Sequence, residues 1–151
     1  YGAGGTNRGT DGQCVVEVTN NTCYDVGSVD PTWADAGAFS RGPGSPNLVM
    51  ELRNNIVLTL PGQPYFTAST DPSLVRGESN LWCGSGPGPD FLTGHIDADP
   101  LLVDLSALDF HLMPDSPAID AGVATDLAYD FAGLFRPLGS AFDVGAYEYA
   151  P

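Results

Sequence analysis

CVVEVTNNTC (residues 14–23) and LVMELRNNIV (residues 48–57) share one design: an alternating apolar run, an Asn-Asn pair, then a second short apolar run. Setting Asn20 on Asn54 gives a period of 34 residues. Side chains alternate across a strand, so this register places Cys14, Val16 and Val18 over Leu48, Met50 and Leu52 on one face. Val15, Glu17 and Thr19 then lie over Val49, Glu51 and Arg53 on the other. A third copy, LVRGESNLWC (74–83), sets Asn80 on Asn55, Leu81 on Ile56 and Trp82 on Val57, a step of 25 residues. Gly- and Pro-rich loops, RGPGSPN (41–47) and GSGPGPD (84–90), separate the copies. Unequal steps around a constant strand–turn–strand core predict a β-solenoid with variable loops, each repeat one coil stacked on the last. Asn suits the bend, because it tolerates left-handed backbone and because amides stacked about 4.8 Å apart can bond up the column. A β-sandwich is the competing reading, but no Asn-Gly or Asp-Gly hairpin turn sits between the alternating runs. The register predicts Val16, Val18, Met50, Leu52, Ile56 and Leu81 inside.

Composition agrees with an all-β chain. Its 151 residues are 42% hydrophobic, enough for one domain with a core, while 19 Gly and 13 Pro exclude long uninterrupted helices. Acidic residues number 19 against five basic ones, all Arg, for a net charge of −14. Such a surface repels phosphate backbones and anionic head groups, so nucleic acid is excluded as a partner. Asp outnumbers Glu 15 to four, which points to turns, where Asp bonds its own backbone, and makes divalent cations plausible companions. No apolar run is long enough to span a bilayer, so membrane insertion is not expected. The chain opens at Tyr1 with no signal sequence, and reads as a processed mature chain or a piece of a longer one. Cys14, Cys23 and Cys83 lack zinc-ligand spacing, and their odd number leaves at least one thiol buried or paired with another chain.

The last third carries a resemblance. IDADPLLVD (96–104), DFHLMPDSPAIDAG (109–122), DFAGLFRP (130–137) and DVGAYEY (143–149) resemble the C-terminal end of bacterial secreted right-handed parallel β-helix proteins of the pectate-lyase-like superfamily. The resemblance implies a right-handed single-stranded parallel β-helix with a C-terminal capping segment. The expected divisions are a Gly-rich arm (1–13), β-helix coils (14–108) and the capping segment (109–151). It also implies an extracellular location, secreted or at the cell surface. Arg136, a lone cation among Asp120, Asp126, Asp130, Asp143 and Glu148, is expected to be bound by one or two of them and to hold the closing loops together.

β-helices host lyases, hydrolases, adhesins and inert stalks, so function must come from a site. Glu17, Glu51 and Arg76 fall at equivalent outward positions of successive copies. In the pectate-lyase-like branch, outward carboxylates bind Ca²⁺ and an Arg serves as base, so the resemblance makes these three the catalytic candidates; a surface salt-bridge column is the alternative. Asp97, Asp99 and Asp104 are the metal candidates, because oxygen ligands at alternate positions can converge on Ca²⁺, although EF-hand spacing is absent. No cofactor is required. His95 and His111 lack a nucleophile motif and read as structural. Trp33, Tyr24, Tyr65 and Trp82 can stack on sugars, although the register packs Trp82 inside. Asn20-Asn21-Thr22 is a glycosylation sequon that coincides with the corner. The expected function is a non-catalytic module of a secreted or surface protein, structural or self-assembling. The alternative is a fragment of a polysaccharide lyase or glycoside hydrolase. The small-residue arm cannot cover an apolar rung, which predicts an axial protein partner at the first coil: upstream coils or another copy, with filament formation open to a copy.

Overall fold

Alternating runs of β-branched and aliphatic residues broken by Asn, Gly and Pro favour short strands with tight corners. The computed structural model describes residues 3–6, 14–27, 37–40 and 47–151, and in these the protein is all-β with several parallel pairings. Ten strands follow one another: β1 (Ala3–Thr6), β2 (Cys14–Thr19), β3 (Thr22–Tyr24), β4 (Leu48–Arg53), β5 (Ile56–Leu58), β6 (Val75–Glu78), β7 (Leu81–Cys83), β8 (Ile96–Asp97), β9 (Leu102–Asp104) and β10 (Asp109–Leu112). The first sheet runs β1-β2-β4-β6, the second β3-β5-β7-β8, and β9 pairs with β10. Each repeat therefore gives one strand to each of two sheets. The registers are those expected from the Asn pairs. Glu17 pairs with Glu51 and Glu51 with Arg76 in the first sheet, and Thr22 with Ile56 and Ile56 with Leu81 in the second, all parallel.

The corner explains why two Asn occur side by side. Asn20, Asn54 and Ser79 take φ of +53°, +52° and +52°, the left-handed backbone that turns the chain from one sheet to the other. The residues that follow form an amide ladder. Asn21 donates its backbone N–H (3.0 Å) and Nδ2 (3.1 Å) to Asn55 Oδ1, and Asn55 repeats both bonds to Asn80 Oδ1 at 3.0 and 2.9 Å. Asn55 and Asn80 are fully buried, so these bonds satisfy groups that would otherwise be costly to bury.

The corner also shifts the side-chain parity, and here the structure differs from expectation. Leu52 and Ile56, four apart, share a face in a straight strand. Across the left-handed residue they part. Met50, Leu52 and Val75 pack with Val57, Trp82, Tyr65 and Leu92 in one cluster, whereas Ile56, Leu58 and Leu81 pack with Leu102, Leu112, Ala118 and Val144 in another. Ile56 and Leu81 are thus buried, but in a second layer. Val16 and Val18, at the first repeat, are only half-buried. The backbone of Ala3–Thr6 pairs antiparallel along β2, Ala3 opposite Val18 and Thr6 opposite Val15; the remainder of the arm lies outside the described residues.

Residues 118–146 run along the outside of the corner. Asn20 donates Nδ2 to Asp143 O (3.0 Å), while Asn54 exchanges bonds with Val123, Nδ2 to O at 2.7 Å and N to Oδ1 at 2.9 Å. Gly145 N–H reaches Asn54 O at 2.7 Å. The approach needs glycine: a Cβ on Gly122 would lie 2.8 Å from Phe142 O and 3.1 Å from the Asn54 side chain. Arg136 anchors this segment as expected. Its NH1 meets Glu148 Oε1 at 2.6 Å and Asp143 O at 3.2 Å, and its NH2 donates to Gly145 O at 2.8 Å.

Candidate functional site

The first sheet brings the three catalytic candidates together. In strand register Glu17, Glu51 and Arg76 form one column on the outer face. Arg76 grips Glu51 Oε2 with two donors, Nε at 3.1 Å and NH2 at 2.9 Å, and Arg53, two residues along the same strand, ion-pairs with Oε1. Arg53 also stands 3.9 Å from Glu78. Glu51 is buried to 7% exposure, so both of its oxygens are engaged by cations in a partly dry setting. A general base needs a free lone pair near a substrate proton, and an Arg acting as base needs freedom from a carboxylate. Glu51 and Arg76 meet neither condition.

The metal candidates are not brought together. Asp97 accepts Gly88 N–H at 2.6 Å and lies 3.5 Å from His95. Asp99 accepts Leu101 N–H at 2.9 Å. Asp104 accepts the Ser106 hydroxyl and the N–H groups of Ser106 and Ala107, and these bonds hold its carboxyl below the ordinary value. Asp99 and Asp104 each close their own turn, whereas Asp97 ties the loop at Gly88 to β8. Among the described residues no three His, Cys, Asp or Glu side chains form a metal-holding group.

The remaining described candidates make contacts within the fold. His111 Nδ1 meets Asp109 Oδ1 at 2.6 Å and its ring stacks 4.0 Å from Tyr147; His95 Nδ1 meets Leu92 O at 3.1 Å. Tyr65 and Trp82 are buried against each other, 4.9 Å between centroids, and closed to any sugar. Trp33 lies outside the described residues. The Asn20 amide is buried under the Asp143 carbonyl, which favours the corner reading over glycosylation. The three cysteines are unpaired; Cys14 is exposed, while burial pushes the Cys23 and Cys83 thiols up, away from reactivity.

One concavity escaped the sequence reading. A groove of about 670 Å³ has the corner of the first repeat, Thr19 to Thr22, as its floor. Glu17 and Arg53, Leu108 and Phe110 of the β9–β10 hairpin, and Tyr129, Phe131 and Tyr147 of the C-terminal segment also line it. Phe131 is 71% exposed and Tyr129 54%, unusual for aromatic rings. The stretch YDFAGLF (129–135) held that signal, three aromatics at odd positions with no repeat to pack against. No helix among the described residues is long and apolar enough to cross a membrane. Comparison with models of known protein families and with curated proteins finds no match.

Proposed function

We propose that the chain is a non-catalytic module of a secreted or cell-surface protein, built as a right-handed single-stranded parallel β-helix with residues 109–151 as its closing segment. The resemblance of the last third to the ends of such proteins supports this, as do the parallel pairings β2-β4-β6 and β3-β5-β7 in a common register. The observation that carries the non-catalytic reading is the engagement of both Glu51 oxygens by Arg53 and Arg76, which turns the best catalytic constellation into a salt-bridge column. An axial protein partner at the first repeat, either further repeats or another copy, completes the reading. Its support is the half-buried state of Val16 and Val18 at that end. Copies meeting head to tail would make a heterologous contact that need not close, hence a filament.

The test of the non-catalytic reading uses polygalacturonate and alginate, each with and without calcium. No unsaturated sugar product is expected in any arm, and no calcium-dependent rise in melting temperature. Unsaturated product in the calcium arm would establish a polysaccharide lyase instead.

A further inference from the structure

We propose that the groove above the first repeat seats an extended strand of another polypeptide, which pairs with the free edge of β3 and places an asparagine over Asn21. The inference rests on the axial-partner reading and specifies the partner's chemistry.

Three observations converge. The first is the edge. Among the described residues β2 is covered by β1, whose last described pair toward the corner is Ala3 opposite Val18, and β3 is an edge strand of its sheet. Asn21 O accepts from Ile56 and Asp25 N–H donates to Leu58 O, so alternate residues 21, 23 and 25 point their backbone groups into the sheet. By strand alternation, the N–H and C=O of Thr22 and Tyr24 point the other way, toward the side on which no described strand pairs.

The second is the ladder. Each downstream step uses the same two bonds, from backbone N–H and Nδ2 of one Asn to Oδ1 of the next. Asn55 and Asn80 also turn Nδ2 back to a carbonyl of the preceding repeat, Val18 O at 2.7 Å and Leu52 O at 2.9 Å. Asn21 bonds its own strand instead, at Thr19 O, and among the described residues nothing donates to its Oδ1. That oxygen is where an incoming amide's two donors would land.

The third is the shape and charge of the seat. Phe110, Phe131 and Tyr147 line the groove together with Thr19 to Thr22, so a strand added at the Thr22 end of β3 finds apolar contacts for its side chains as well as backbone partners. At a net charge of −14 the protein favours an uncharged or basic strand, and a second copy, carrying the same −14, is the weaker occupant.

The probe is a fluorescent peptide LRNNIVL, the sequence of residues 52–58, titrated into the full chain and followed by anisotropy. Saturable binding is expected, weakened about tenfold by Ala at the peptide's second Asn, with new amide-exchange protection at Thr22 and Tyr24. Phe131→Ala, at an exposed position that leaves the fold intact, should weaken binding too. Equal affinity for the Ala peptide, protection elsewhere, or no binding to protein shown folded by circular dichroism would each overturn the proposal. Light scattering of the protein alone separates the two readings. Oligomers without peptide binding leave the axial partner standing and sink the groove proposal; a monomer that ignores the peptide sinks both.

Discussion

Single side chains decide how firmly the C-terminal segment holds. Arg136 and Glu148 are buried together, and Glu148 also accepts Asp143 N–H and Leu138 N–H, so removing either partner strands a charge. Arg136→Ala should cost about 3–5 kcal/mol in urea denaturation, far above an exposed ion pair. A loss below about 1 kcal/mol would show that the pair is solvated. Acid behaves differently at each carboxylate. The Asp120 carboxyl is held below its ordinary value, first by Ala141 N–H and then by Ser140. A lowered folded-state pKa contributes stability above the unfolded value of about 3.9 and loses it as pH falls through the folded one. Asp120→Asn should therefore be less stable than the parent near neutral pH, with the gap closing below about pH 4 in thermal melts. A gap constant with pH would remove the carboxylate from the account. Burial raises the Asp143 carboxyl, so its contribution has the opposite sign and is most favourable in acid. The sequence exposed Arg136 as a lone cation among acids, but not that it would choose Glu148 and backbone carbonyls. Distant loops set that choice.

At the level of strands, the decisive contrast lies between neighbours on β4. Leu52 is fully buried between the sheets, and Leu52→Ala should cost about 2–5 kcal/mol. Arg53→Ala should cost no more than about 1 kcal/mol, because Glu51 keeps Arg76. Removing Arg53 and Arg76 together leaves Glu51 buried beside Glu17, so the double variant should lose clearly more than the two single losses combined. Additive losses in denaturant titrations would mean that the column carries no coupling. The opposite faces of β4 were legible from alternation alone, since Leu52 and Arg53 differ by one position. The fate of Ile56 and Leu81 was not, because a left-handed corner residue shifts parity without changing composition. The same corner hides the groove: its floor is Asn and Thr, and its walls come from a segment about a hundred residues away.

For the whole molecule, the C-terminal segment supplies part of the second apolar cluster, so stability should depend on it. Without residues 109–151, Ile56, Leu58 and Leu81 lose Leu112, Ala118 and Val144, and Asn20 and Asn54 lose their bonds to Asp143 and Val123. Each large apolar side chain returned to water costs roughly 1.5–3 kcal/mol, a total beyond the margin of a small domain. A chain ending at residue 108 should show no cooperative melt; a sharp transition would mean that the repeats stand alone. The motifs of this segment stand out in the sequence, and its residues Leu112, Ala118 and Val144 pack on Ile56, Leu58 and Leu81. That it runs along the corner, bonded to Asn20 and Asn54, follows from amides whose outward direction only the left-handed backbone sets. Strand–corner–strand repeats stack in parallel at steps of 34 and 25 residues, an Asn at the second corner position of each. Side-chain amide NMR tests this stacking most directly. Cross-peaks from the Asn55 Nδ2 protons to Val18, Asn21 and Asn80, with slow exchange of the Asn55 and Asn80 amides, are the predicted result. Rapid exchange of those amides, or contacts of Asn55 with other partners, would contradict the register and the account built on it.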